Sequence, residues 1–368
     1  MIMSSRERLL TALGNGRPDR LPCQVHGWMT YYLDHYLQTR DWMEANNRFG
    51  FDHAIYISPD YHYSDADLSH WQVETKNMGI LADGYRHWHE TITTPDGTLS
   101  VHRAANEFTV WDLEPLIKTW DDFRMWARWR PIPIKADFRA MQAMRDRLGD
   151  QGIIRVHPFS AGQGSPWQSL CILMGTEECI FAAHDEPDQV HEALASILEM
   201  TLKATELWKG IPGDMIETGG GAGSNTVISP KMFREFCLPY DQKQHAAFHE
   251  QNLKIVYHLC GGLMQMLDMV AENGADGLET MTPVSMGGDC ILAEASRRVG
   301  DRLFFIGGFD QNAGFEQGTP QKVRQMVFDC FAATKDHAGY IIAPSDHFFF
   351  GNPENLAAFC DAARECAY

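Results

Sequence analysis

The chain has 368 residues and carries 31 basic against 49 acidic side chains, a formal charge of −18. That balance excludes an electrostatic grip on nucleic acid or on an anionic membrane. No apolar run is long enough to span a bilayer, and the opening stretch MIMSSRERLLTALG lacks the continuous apolar core of a signal peptide, so a cytoplasmic protein is expected.

In chain order, Ser4 or Ser5 can cap a short helix, Arg6 to Leu13, ended by Gly14. Leu21 to His26 is a first strand, followed by an aromatic stretch from Trp28 to Trp42. His53 to Ser58 is a second strand. From Gln72 to Arg103 alternating segments flank Gly84 and the turn Thr94-Pro95-Asp96-Gly97, predicting an antiparallel hairpin insertion. Helices are expected near Asp121–Arg128 and Ala136–Leu148.

After Gly149 the rhythm is regular. Strands are expected at Gly152–His157, Asp214–Glu217, Leu253–Leu259, Asp276–Glu279, Leu303–Gly307 and Tyr340–Ala343, with helical stretches between them. Eight strand–helix units fit a single (β/α)8 barrel over residues 1–368, and an open doubly wound sheet is the alternative. Nine scattered cysteines show no disulfide-like framework and read as reduced thiols.

Catalytic chemistry in such a barrel gathers at the carboxyl ends of the strands. The polar residues at or just past those ends are His26, Asp60, His157, Glu217, His258 with Cys260, Glu279, Asp310, and Asp346 with His347. His258 and Cys260 lie two apart on a strand, so an imidazole and a thiol aim at one point. That pair suits zinc, although taken alone such a pair is more often a core cysteine beside a hydrogen-bonded histidine. The glycine-rich stretch Gly219, Gly221, Gly223 lacks dinucleotide-fingerprint spacing and reads as a loop that lets a large ligand approach the backbone. His87 and His89, flanking Trp88, read as an exposed face sooner than a metal site.

Several segments together resemble the uroporphyrinogen decarboxylase superfamily, and within it the cobalamin-dependent methyltransferase branch. They are Arg17-Pro18-Asp19-Arg20-Leu21-Pro22, Leu238-Pro239-Tyr240, His258-x-Cys260-Gly261, Gly307-Gly308-Phe309-Asp310, Gly318-Thr319-Pro320, Ala343-Pro344 and Pro353-Glu354-Asn355. The resemblance implies a (β/α)8 barrel and a zinc held by His258, Cys260 and a third residue in the turn after the last strand. That position carries Asp346 here, where the branch has cysteine, and Glu279 or Glu217 can complete the set. A carboxylate in place of a thiolate makes the site harder.

True uroporphyrinogen decarboxylases carry arginines after the first strand. Here that segment reads Cys23-Gln24-Val25-His26-Gly27-Trp28. The resemblance thus implies a zinc-dependent methyltransferase moving a methyl group between a small O-, N- or S-methyl compound and a corrinoid (cobalamin). No Asp-x-His-x-x-Gly motif appears, so the corrinoid is expected on a partner protein or free. His157, His347 and Glu217 are the expected proton-handling residues, Gly219, Gly221 and Gly223 the expected corrinoid-facing loop, and a homodimer is compatible. The rival readings are a metal-dependent lyase or decarboxylase of a small carboxylate, and a binding protein without catalysis.

Overall fold

The computed structural model describes residues 2–160, 164–337 and 339–368. Its first helix, Ser5–Leu13, starts where the Ser4 side chain accepts from the Glu7 N–H and Glu7 reaches back to the Ser4 N–H. This reciprocal pair satisfies two otherwise orphaned donors and fixes the helix start.

Among the described residues thirteen strands form three sheets. The central sheet begins with β1 (His53–Tyr56), and β2 (Asp60–His62) is half of a short antiparallel pair. β3 (Gln72–Ile80), β4 (Arg86–Thr94), β5 (Gly97–Ala105) and β6 (Val110–Glu114) form a four-stranded antiparallel sheet. β7 (Lys135–Asp137) partners β2. The central sheet resumes with β8 (Gly152–Val156), β9 (Met215–Gly219), β10 (Lys254–His258), β11 (Gly277–Thr280), β12 (Phe304–Phe309) and β13 (Tyr340–Pro344).

All seven central strands run parallel in the order β1-β8-β9-β10-β11-β12-β13. Parallel neighbours require crossovers, and helices supply them. Leu238–Glu250 joins β9 to β10, Leu292–Val299 joins β11 to β12, and Pro320–Thr334 joins β12 to β13.

The expected first strand at Leu21–His26 is reduced to one parallel bridge, Cys23 with Ile342 of β13. Pro22 has no N–H to offer a ladder, which limits the run. This short segment nevertheless touches both edges of the sheet. Gln24 N–H donates to the Ile342 carbonyl, and Asp52 N–H, just before β1, donates to the Cys23 carbonyl. The hairpin insertion expected at Gln72–Arg103 is larger than that, because β6 extends it to Glu114.

Two packing layers follow from strand alternation. Outward-facing Ile55, Ile154, Ile216 and Ile342 join the cluster under the helices. Inward-facing Ala54, Ile153, Met215, Val256, Ile306 and Ile341 pack with Leu9, Ala12 and Leu13, so the first helix plugs the amino end of the sheet. No helix among the described residues is long and apolar enough to cross a membrane.

Candidate functional site

Going one step further along each strand from that inner apolar layer places polar groups in the same direction. Arg155 follows Ile153, Glu217 follows Met215, and His258 follows Val256, each two residues on and therefore on the same face. His26 joins them from the Cys23 segment, and Glu279 from β11. The ligand-type atoms of His26, Glu217, His258 and Glu279 all lie within 4.8 Å of one another, and all four residues are buried.

Hydrogen bonds tie the cluster together. His258 Nδ1 lies 3.0 Å from Glu279 Oε1 and 3.6 Å from Glu217 Oε1. His26 Nδ1 is 3.6 Å from Glu279 Oε2. Beneath them Arg155, fully buried, reaches Glu217 at 2.8 Å and Glu279 at 2.8 and 2.9 Å, all through Nη2. The Tyr56 hydroxyl also donates to Glu217, and its ring lies 4.6 Å from the Arg155 guanidinium carbon.

Charge in this cluster is paired, as buried charge has to be. Burial pushes the Glu279 carboxyl up, yet Arg155, His26 and the hydrogen bond from His258 hold it well below the usual carboxylate range. Glu217 also stays low: burial and Glu279 oppose ionisation, and His26, Arg155 and His258 prevail. Burial works against protonated His258, but bonds to Cys260 and Glu279 and the charge of Glu217 raise it well above an ordinary histidine.

Above the cluster opens a cavity of about 530 Å³ lined by His26, Gly27, Trp42, Tyr56, His157, Glu217 and His347. His157 stacks on Tyr56 with ring centroids 4.6 Å apart, and His347 lies 4.8 Å from His26. The three expected proton-handling residues, His157, His347 and Glu217, therefore line one cavity.

The expected metal set is only partly gathered. His258 and Glu279 belong to the four-membered group, with Glu217, while His26 enters from the first segment. Cys260 is hydrogen-bonded to His258 but is not one of the four. Asp346 instead accepts from the His347 N–H at 2.7 Å. Asp310 is engaged by Ser285 and the Ala313 N–H, and Asp60 lies exposed on β2.

The glycines of the expected ligand loop have local reasons to be glycine. A Cβ on Gly219, whose φ is +85°, would fall 2.4 Å from the His258 carbonyl oxygen, and one on Gly221 would fall 2.8 Å from Cys260 Sγ. Gly223 is in ordinary contact with Leu259.

Arg155 is the functional group that reading strand ends misses. Its signal was the pattern Ile153-x-Arg155-x-His157, a cation on the same face as a strand-end histidine inside an apolar run.

Two imidazole nitrogens and two carboxylates are a borderline-to-hard donor set, suited to zinc or a similar divalent ion. Their two negative charges match the ion's, and the ion would take the place of the His258 proton. The residues present fit such an ion.

Residues 113–366 match the model of the uroporphyrinogen decarboxylase (URO-D) family. A uroporphyrinogen decarboxylase of Psychromonas ingrahamii is 25% identical over 222 residues, covering 56% of this chain and 59% of the relative. One from Cupriavidus necator is 28% identical over 245 residues, covering 61% and 62%. The chain thus spans less than two thirds of the length of either curated relative. Among solved structures, a methyltransferase from Methanosarcina mazei superposes with a TM-score of 0.65 at 16% identity, covering 99% of both chains, a likeness of fold.

Proposed function

The chain belongs to the uroporphyrinogen decarboxylase family, and we propose that within it this protein is a metal-dependent methyltransferase. It would move a methyl group between a small O-, N- or S-methyl compound and a corrinoid, on a closed (β/α)8 barrel with residues 22–24 in the eighth strand position. The observation that carries this reading is the buried set His26, Glu217, His258 and Glu279 at the floor of a cavity walled by aromatic rings and imidazoles. The barrel's sharing its fold with a methyltransferase supports it.

A zinc-type ion held by those four would supply Lewis-acid activation of an oxygen, nitrogen or sulfur atom bearing the methyl group. The chain's own residues do the rest. Arg155 and Tyr56 hold Glu217 in place. His157 and His347 stand at the cavity wall, where each can take or give the proton of an alcohol, amine or thiol. Trp42 and Tyr56 present apolar faces to the substrate body and limit water. The corrinoid would arrive on a partner protein or free. Two imidazole nitrogens and two carboxylate oxygens without thiolate favour an oxygen-containing methyl donor.

A second reading is a lyase or decarboxylase of a small carboxylate. What favours it is that Arg155 and a protonated His258 together balance Glu217 and Glu279, so the cluster can act as an acid–base site. The cavity floor carries no arginine pair for a polycarboxylate tetrapyrrole; the segment reads Gln24-Val25-His26-Gly27.

The test is to mix zinc-loaded protein with Co(I) corrinoid and a panel of methyl ethers, methylamines and methyl thiols. Methyl-Co(III) absorbance is expected with at least one oxygen donor, and its loss in His258→Ala. Silence across the panel with zinc bound would move the assignment to the lyase reading.

A further inference from the structure

Away from the barrel, the antiparallel sheet β3–β6 carries a second gathering of imidazoles. His87 and His89 are two apart on β4 and leave the same face, and His102 of β5 lies directly opposite His89 on that face. One cross-strand row reads Lys76, His89, His102, Glu114, ending in one charge of each sign. In the next row His87 sits between Gly79 and Ala104, which leave it space.

The rings are already in contact. His87 Nδ1 lies 3.0 Å from His102 Nε2, and the His89 and His102 rings stack with centroids 4.2 Å apart. His87 is buried, 3% exposed, and its far nitrogen is held by the Asp83 carboxylate at 2.8 and 3.1 Å. That is not an exposed polar face. It is an imidazole oriented from behind by a carboxylate, with its other nitrogen turned toward a second imidazole.

We propose that His87, His89 and His102 form a second metal site, a three-imidazole seat for a divalent transition ion such as zinc, independent of the barrel cluster. Two nitrogens bound to one tetrahedral ion at about 2.0 Å stand about 3.3 Å apart, close to the His87–His102 separation seen here. Three imidazoles leave a fourth position for water, and a carboxylate behind a ligating imidazole is the usual outer partner, the place Asp83 takes. In this structure the rings meet only pairwise, and their three nitrogens do not yet converge as the barrel cluster's four ligand atoms do. Binding exchanges the N–H between His87 and His102 for the ion and turns His89 about its side-chain bonds toward the same point. Ligation needs neutral rings, each offering a lone pair to the ion. The ion would tie β4 to β5.

Equilibrium dialysis of the full chain against zinc chloride tests this. The His258→Ala protein, with the barrel cluster disabled, should still bind one zinc, and adding His102→Ala should abolish it. His89→Ala in the same background should weaken binding at least tenfold. His87→Asn guards against a folding defect, provided its circular dichroism is unchanged. If His258→Ala binds no zinc, or if His89→Ala binds as tightly as its parent, the three-imidazole site is overturned. Loss of zinc from the barrel alone would instead appear as one ion fewer in His258→Ala, with the His102-dependent ion intact.

Discussion

One nitrogen of Arg155, Nη2, donates to both carboxylate oxygens of Glu279, at 2.8 and 2.9 Å. The same nitrogen reaches Glu217 at 2.8 Å, so a single guanidinium sets the spacing of two carboxylates that would otherwise repel inside the barrel. Nε and Nη1 of Arg155 are buried without a hydrogen-bond partner, facing a site where the Tyr56 ring is the nearest π surface. Its charge also lies over the Tyr56 ring, and burial together with that charge holds His157 below its usual range.

Arg155→Met should therefore cost about 3–5 kcal/mol of stability, the usual effect of stripping one partner from a buried charge network. Urea denaturation measures it. Saturating zinc should restore part of the loss, because a divalent ion can neutralise the same carboxylates. An unchanged unfolding midpoint would show that the glutamates do not depend on Arg155.

Metal retention should follow the spatial cluster. His26→Ala and His258→Ala should lose zinc from the barrel, with affinity falling a hundredfold or more, because each removes one of four donors. Asp346→Asn should keep it, since that carboxylate is turned to the His347 N–H. Cys260→Ser should fall between, acting through its bond to His258. Elemental analysis after dialysis against a chelator distinguishes the three classes.

Asp241 makes stability pH-dependent. It is fully buried beside Tyr257, and burial raises its pKa to about 7, with the Tyr257 hydroxyl pulling the other way. A carboxyl raised on folding stabilises most below its unfolded value of 3.8, and that contribution is lost as pH rises through about 7. Within that window the slope is about 1.4 kcal/mol per pH unit. Asp241→Asn should flatten it, as read from denaturation midpoints between pH 4 and 8. A parallel pH profile for the variant would refute the assignment.

Gly219→Ala should destabilise by about 2 kcal/mol or more, combining strain at positive φ with the close His258 carbonyl. Because that carbonyl belongs to the residue that carries the imidazole, zinc affinity should drop together with the melting temperature. A drop in melting temperature alone would uncouple the loop from the cluster.

Most strands after Gly149 were legible because buried parallel strands read as short apolar runs between helical patterns, as in Ile153-Ile154 or Phe304-Phe305-Ile306. The segment around Cys23 pairs over less than its apolar run suggests, because Pro22 can accept from Ile342 but has no N–H to donate. β6 escaped notice because Val110 and Leu113 are exposed, so no burial alternation marks the strand. In the site, Glu217, His258 and Glu279 were found from strand ends. His26 was on the same rim, but left out of the ligand set, which followed the His-x-Cys spacing. Arg155 was missed because it sits one layer below the rim, where a buried cation leaves only a strand-parity signal.

The hydrogen bonds of residues 22–24 join a segment near the start of the chain to Ile342, and Leu21 N–H also meets the Cys366 carbonyl. During synthesis neither partner of those bonds exists until the last strand and helix have left the ribosome. The bond from Asp52 to Cys23 can form early, but the β13 side stays open until that strand is made. Only then can the first helix seat its Leu9 and Leu13 against Ile341. Such long-range pairing makes folding slow, and leaves exposed strand edges for chaperones to shield in the meantime.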